Sequence, residues 1–145
     1  MVDASCIGYA FAPYTADVPV DRVRRFAQAT GETRPQYLDD AAARAAGYPS
    51  LPAPPTYLGS IFADEADPFA WMREIGIDVA RVLHAAQAFR YFAPIYAGDR
   101  LRLESRITNV LKKSRSRTFV VKLSDVTNQD RVRVAEMRAT IIVRE

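Results

Sequence analysis

The first half of the chain carries its apolar residues at helical spacing. Valine, phenylalanine and alanine side chains recur every three or four positions between residues 20 and 30, and the arginines lie mostly outside that stripe, which predicts an amphipathic helix. Gly31 is placed to end this helix, and Asp39 is placed to cap a second one over residues 40–46. The apolar positions within residues 57–63 predict a further helix with a wide buried face.

The second half of the chain alternates between apolar and polar residues with a period of two, which predicts strands. In one of these strands Phe119, Val121 and Leu123 alternate with Val120, Lys122 and Ser124. A short strand is also predicted over residues 7–11, where apolar and small residues alternate.

Together these elements predict an α+β fold in which an antiparallel sheet packs on one long buried helix. A shorter helix over residues 69–75 is expected to end at Gly76. The polar connections at 112–117 and 127–131 are short enough for hairpins. A length of 145 residues fits one domain, so we expect residues 1–145 to form a single domain.

Composition excludes several kinds of protein. The single cysteine, Cys6, cannot form an intramolecular disulfide, and one cysteine with one histidine cannot build a zinc site from those ligands. Any Ser-His-Asp or Cys-His chemistry would depend on His84 alone. The N-terminus shows no basic segment before an apolar run, and no stretch approaches the ~18–20 apolar residues that span a bilayer. We therefore predict a cytoplasmic protein without a membrane contact, a metal or a cofactor.

Polar side chains gather in the connection between the first two predicted helices. Glu32, Arg34, Tyr37 and Asp39 place two carboxylates, a guanidinium and a phenol within eight residues. This set is typical either of a capped helix–helix connection or of a functional site. The proline-rich run that ends at Pro55 has two interpretations as well: a rigid lead into the core helix, or a helix N-terminus that offers amides to a carbonyl ligand.

Two further features have a structural and a functional interpretation. His84, at the start of the strand-rich half, is either a hydrogen-bonded structural residue or part of a site. The basic tip, defined as residues 112–117, can hold phosphates or can form a solvated turn that discourages aggregation. The net charge is only +3, and no aromatic residues interleave with the basic tip, which weakens an RNA-binding interpretation.

Four segments resemble one known family. Residues 26–39, with the sequence FAQATGETRPQYLD, resemble the hydratase motif of MaoC-like (R)-specific enoyl-thioester hydratases. Residues 47–57 (GYPSLPAPPTY) look like the AP-P-T segment of the family's FAS1-like dehydratase branch, and residues 82–89 and 91–99 look like further segments of that branch. The resemblance implies the hot-dog fold, in which an antiparallel sheet wraps around one long central helix.

The resemblance also marks two departures at the catalytic positions. The family pattern has an aspartate directly after the glycine and a histidine five residues later, which hold the water added to or removed from the acyl thioester. Here those positions are Glu32 and Tyr37. A phenol with a pKa near ~10 is a weaker base at neutral pH than an imidazole near ~6.5. The longer glutamate also moves the carboxylate, and a shift of about 1 Å can cost about 100-fold in rate.

We therefore predict a hot-dog subunit that binds acyl-CoA or acyl-carrier-protein thioesters in a dehydratase or hydratase system. Its partner would be a second copy or a catalytic MaoC-like subunit, and nucleic acid is not expected. The predicted substrate-binding residues are Arg34, Pro55, Thr56, Tyr57 and His84. Two alternatives stay open: an active hydratase that uses Glu32 and Tyr37, and a non-enzymatic module that binds phosphate or nucleic acid through the basic tip.

Overall fold

The computed structural model describes residues 2–63 and 65–144. It contains five strands, three α-helices and four short 3-10 helices. The strands are β1 (Tyr14–Asp17), β2 (Val82–Tyr91), β3 (Arg100–Ser114), β4 (Arg117–Thr127) and β5 (Arg133–Arg144). The α-helices are α1 (Val20–Ala29), α2 (Asp40–Ala45) and α3 (Ala70–Glu74), and the 3-10 helices are Ala4–Cys6, Pro35–Tyr37, Tyr57–Ser60 and Val79–Arg81.

The strands form one antiparallel sheet in the order β1-β3-β4-β5-β2. The predicted α+β class and antiparallel sheet are therefore confirmed. The four-residue β1 forms one edge and the ten-residue β2 forms the other. The 3-10 helix Tyr57–Ser60 lies over the inner face of the sheet, where Tyr57 and Leu58 pack in one core cluster with Leu101 and Leu103 of β3. Within the described ranges, none of the helices has the length and apolar character that crossing a membrane requires.

The first two helices and their caps are confirmed. The Asp39 side chain accepts a hydrogen bond from the Ala42 backbone N–H at 2.8 Å, as an N-cap does. Gly31 ends α1 with a φ of 75°, a backbone conformation that glycine adopts without strain. These features depend on residues close in sequence, which explains why the local pattern was sufficient to find them.

The central helix is not the long α-helix that was predicted. It is the four-residue 3-10 helix Tyr57–Ser60, followed by turns, and α3 is a separate short helix. Gly59 and Ser60 are weaker helix formers than alanine. The Ser60 hydroxyl also donates a hydrogen bond to the Tyr57 carbonyl at 2.8 Å, which offers the backbone an alternative to α-helical pairing.

The predicted strand over residues 7–11 is also wrong. Gly8 has a φ of 90°, which interrupts an extended strand. The segment still follows the edge of β3, because the Gly8 and Phe11 N–H groups donate to the carbonyls of Ile107 and Ser105 at 2.8 and 3.0 Å. The regular strand begins only at Tyr14, in β1.

Strand β4 turns the set of residues that contains Lys122 towards the core. Val120, Lys122 and Ser124 are buried on the inner face of the sheet. Val120 pairs with Ile141 and Ser124 pairs with Met137 of β5, and both partners are core residues. Because directly opposed residues share a face of the sheet, this register places the Lys122 side chain inside.

Candidate functional site

The loop between α1 and α2 holds the Glu32 carboxylate in a closed set of hydrogen bonds. Its Oε1 accepts the backbone N–H groups of Thr33 and Arg34, each at 3.0 Å. The Arg34 guanidinium donates to both carboxylate oxygens, at 2.9 Å from Nε and 2.6 Å from Nη2. The Arg34 guanidinium and the two backbone amides lower the pKa of Glu32 to about 2. The carboxylate is therefore charged at neutral pH, and it is a poor proton acceptor.

The Arg34 guanidinium connects Glu32 to Tyr37. Its central carbon lies 4.7 Å from the centroid of the Tyr37 ring, which is cation–π geometry. Pro35 begins the 3-10 helix that positions Tyr37 at the edge of a cavity. Glu32 and Arg34 thus support the placement of Tyr37, while Glu32 itself does not line the cavity.

The acyl cavity, as we name it for the ligand proposed below, has a volume of about 400 Å³. Its wall is almost wholly apolar and aromatic, with three tyrosines, and is formed by Tyr37, Tyr48, Pro52, Ala53, Pro55, Tyr91, Phe92, Ala93, Pro94 and Ile95. The Tyr91 hydroxyl donates a hydrogen bond to the Pro55 carbonyl, and burial raises the pKa of Tyr91 to about 12. No carboxylate or imidazole belongs to this lining, and its phenols offer hydroxyl groups that can donate hydrogen bonds.

The other predicted site residues lie in different environments. Pro55 lines the acyl cavity, and Thr56 is exposed at the start of the 3-10 helix. The Tyr57 N–H donates to the Pro54 carbonyl at 2.9 Å, so it is not a free donor for a ligand. The Tyr57 side chain is fully buried, with its ring centroid 5.6 Å from that of Phe26. The Tyr57 backbone N–H is therefore not available for the interpretation in which this helix N-terminus offers amides to a carbonyl ligand.

His84 lies away from Glu32 and Tyr37. It belongs to the edge strand β2 and lines a second cavity of about 140 Å³ between the central segment and the sheet. We name this the lysine cavity, because Lys122 also lines it. Sequence analysis did not single out Lys122, because alternation alone leaves open which set of β4 residues faces the core. It also missed Tyr91, although residues 91–99 belong to a segment that carries the family resemblance.

The basic tip is the end of the β3–β4 hairpin, and its residues are exposed. In the part of the chain that the structure describes, no group of three or more His, Cys, Asp or Glu side chains is arranged to hold a metal ion.

The hydrogen bonds of Glu32 predict an acid-dependent contribution to stability. Because the native pKa is lowered from 4.5 to about 2, the charged carboxylate stabilises the folded chain above pH 4.5, and this contribution is lost as the pH falls towards 2. We expect Glu32→Gln to lower the melting temperature above pH 4.5, with a difference that shrinks on acidification. Glu104→Gln is the matched control, because that exposed carboxylate forms its only ion pair among the described residues with Arg102 on its own strand, at 3.0 Å. A constant difference between native protein and Glu32→Gln at all pH values would contradict the assignment.

Comparison with known proteins gives a consistent result. Residues 5–137 match the family model described as "FAS1-like, dehydratase domain region". A UPF0336 protein of Streptomyces griseus is 40% identical over 110 residues, which cover 75% of this chain and 73% of the relative. The C-terminally truncated HadBC (3R-hydroxyacyl-ACP dehydratase) complex of Mycobacterium tuberculosis superposes with a TM-score of 0.80 and 25% identity, covering 97% of this chain and 99% of that one. A MaoC-like dehydratase superposes with a TM-score of 0.79 and 24% identity, covering 96% of this chain and 42% of that one. The predicted hot-dog fold is thereby confirmed.

Proposed function

Because the chain belongs to the family of FAS1-like dehydratase domains, we propose that it is a hot-dog subunit that binds the acyl part of a thioester and leaves proton transfer to a partner subunit. The substrates would be (R)-3-hydroxyacyl or enoyl thioesters of coenzyme A or of a carrier protein. The reaction of the assembled system would be reversible dehydration.

The observation that carries the proposal is the state of the Glu32 carboxylate. Addition of water to an enoyl thioester needs a base that takes a proton from the water and an acid that delivers one to the neighbouring carbon. The two backbone amides and the Arg34 guanidinium occupy the Glu32 oxygens. The neighbouring position offers a phenol, Tyr37, in place of an imidazole. These residues therefore favour a role in substrate binding, with the proton transfer carried out by another chain.

The acyl cavity has the properties that an acyl chain requires. A volume of about 400 Å³ falls within the usual range for small-molecule sites, ~300–1,000 Å³. Its proline, alanine and aromatic walls offer apolar contact, and Tyr37 and Tyr48 add phenol side chains to the lining. Tyr91 and Phe92, at the end of edge strand β2, form one side of the cavity. A subunit that docks on β2 would therefore lie beside the bound acyl group.

Strand β2 supports a partner on that side. It is ten residues long, pairs only with β5 among the described strands, and leaves its other edge without a strand. Long unpaired edges readily accept a further strand. The HadBC structure is described as a complex, and the chain matches only 42% of the MaoC-like dehydratase, so related folds exist both in complexes and as parts of longer chains. We infer a heterodimer with a MaoC-like subunit that has the Asp and His pair.

The test is an assay of crotonyl-CoA hydration, in which the loss of enoyl-thioester absorbance measures the rate. We expect no hydration above background by the isolated chain, and we expect activity when a MaoC-like chain with both Asp and His is added. The partner alone and the complex are also compared with longer enoyl thioesters, and the difference between their rates measures what this chain contributes to the use of long substrates. Glu32→Gln and Tyr37→Phe are expected to leave the chemical step of the complex unchanged.

One result would overturn this assignment. If the isolated chain hydrates crotonyl-CoA and the rate falls sharply in both Glu32→Gln and Tyr37→Phe, the protein is itself the enzyme.

The oligomeric state is a separate measurement. Light scattering of the isolated chain distinguishes a homodimer from a monomer that would bind a different partner.

A further inference from the structure

The lysine cavity is separate from the residues assigned to the acyl cavity. It lies between Gly59 of the central segment, Phe69 and Met72 of the following segment, and the inner face of the sheet. Its volume of about 140 Å³ is sufficient for a small polar group with a few methylenes. Most of the wall is apolar, but polar side chains enter from two strands.

The sheet register explains why this space exists. Ala139 of β5 is the direct partner of Lys122 on β4 and of Gln87 on β2. The three residues therefore form one row across the sheet, on the face that carries the core. Adjacent strands lie ~4.8 Å apart, so the backbones of Lys122 and Gln87 are separated by about 10 Å, and only the Ala139 methyl group projects between them.

Lys122 brings an ammonium group into this apolar surrounding. The residue is 9% exposed, and its Nζ lies 4.5 Å from the ring centroid of Trp71 and 5.0 Å from that of Phe62. Within residues 2–63 and 65–144, no carboxylate lies within ion-pair distance of Nζ. Glu65 and Glu74 line an adjacent cavity whose lining also includes Lys122. They attract the charge from a greater distance, while burial lowers the pKa of Lys122 to about 8.

Gln87 adds a second donor on the same row. Its Nε2 is buried and has no hydrogen-bond partner among the described residues. His84, which precedes the bulge in β2, is exposed and lines the same cavity. Buried donors without acceptors are costly and rare in folded proteins. The lysine cavity contains one such group, Gln87 Nε2, beside the Lys122 ammonium, and no carboxylate belongs to its lining.

From this arrangement we propose that the lysine cavity is a carboxylate-binding site. Lys122 would pair with the carboxylate, and Gln87 and His84 would donate hydrogen bonds to its oxygens. The carboxylate has two possible sources: the far end of a dicarboxylic acyl thioester, or a small free carboxylic acid. The first source rests on the proposed function, because it requires the acyl chain to reach from the acyl cavity past Gly59.

The experiment compares matched ligands by calorimetry on the full chain, repeated with the partner complex. The probes with a terminal carboxylate are glutaryl-, adipyl- and suberyl-CoA, and their apolar counterparts are pentanoyl-, hexanoyl- and octanoyl-CoA. Free glutarate is titrated separately. A hydrogen-bonded charge pair typically changes affinity by about 10-fold to about 100-fold. We expect at least one dicarboxylic thioester to bind about tenfold tighter than its counterpart, and Lys122→Met to remove that preference.

Two variants separate the site from general effects on folding. Ala139→Leu fills the middle of the row and is expected to abolish carboxylate binding while Lys122 remains in place. Lys113→Met, on the exposed basic tip, is the control for loss of one positive charge. The side-chain NMR signal of Lys122 should shift on titration with the bound carboxylate and not with pentanoyl-CoA.

The outcomes distinguish this proposal from the proposed function. If free glutarate binds in a Lys122-dependent way and no thioester binds, the carboxylate site stands and the acyl-thioester function fails. If thioesters bind with no preference for a terminal carboxylate, glutarate does not bind, and Lys122→Met changes nothing, the carboxylate site is overturned and the acyl function stands.

Discussion

Replacing Ala53 with tryptophan is expected to weaken binding of hexanoyl-CoA by about 100-fold, which corresponds to about 3 kcal/mol. Ala53 is half-buried in the wall of the acyl cavity, so an indole at this position would occupy the space assigned to the acyl chain. The Ala53 backbone N–H donates to the Ile95 carbonyl at 2.8 Å, and a change of side chain leaves this bond in place. Calorimetric titration measures the affinity, and thermal melting verifies that the fold persists.

The matched control for this variant is Ala46→Trp. Ala46 is exposed at the end of α2 and does not line the acyl cavity. It tests whether an added indole alone alters binding. Unchanged affinity in Ala53→Trp would exclude the acyl cavity as the thioester site and would direct the search to the lysine cavity or to the partner subunit.

The parts of the fold that depend on neighbouring residues could be predicted from the sequence. The glycine that ends α1 and the aspartate that caps α2 act within four residues of their partners. The central segment could not be predicted in the same way, because its apolar spacing fits a helix and a buried 3-10 turn equally well. Tertiary packing over the sheet decided between them.

The facing of β4 shows a second limit. Both of its faces carry apolar residues, so alternation alone is consistent with either orientation. The pairing of Val120 with Ile141 decides the orientation, and that pairing joins residues distant in sequence. A shift of one residue in register exchanges the two sides of a strand completely, which is why alternation alone did not place Lys122 inside.

The candidate site was predicted in its residues but only partly in its interactions. The sequence placed Glu32, Arg34 and Tyr37 close together, and the family resemblance identified which of them depart from the catalytic pattern. That the Glu32 carboxylate is saturated by Arg34 and two backbone amides depends on the loop geometry. Tyr91 reaches the cavity from a strand more than fifty positions away in the chain from Tyr37, and no local pattern could have joined them.

Replacing Lys122 with methionine is expected to stabilise the fold by about 2 kcal/mol at neutral pH. Burial lowers the native pKa of Lys122 from 10.5 to about 8, which corresponds to about 3 kcal/mol of stability lost wherever the lysine is charged in both states. The attraction of the ammonium to the rings of Trp71 and Phe62 offsets about 1 kcal/mol of that loss. Methionine fills the same apolar space without a charge and keeps contact with the rings.

The pH dependence of this difference separates the charge from packing. Below pH 8 the full difference is present, because the lysine is protonated both in the folded and in the unfolded chain. Between pH 8 and 10.5 the unfolded chain binds more protons than the folded one, so the native protein gains stability relative to Lys122→Met and the difference closes. Urea unfolding at neutral pH and near pH 10.5 measures both limits. The control Lys113→Met, on the exposed basic tip, should differ from native protein by less than about 0.5 kcal/mol in free energy of unfolding.

A destabilised Lys122→Met at neutral pH would show that the buried ammonium already has a favourable environment without a ligand. A stabilised one would show that the chain retains a costly buried cation, as expected if binding of a carboxylate supplies its counter-charge.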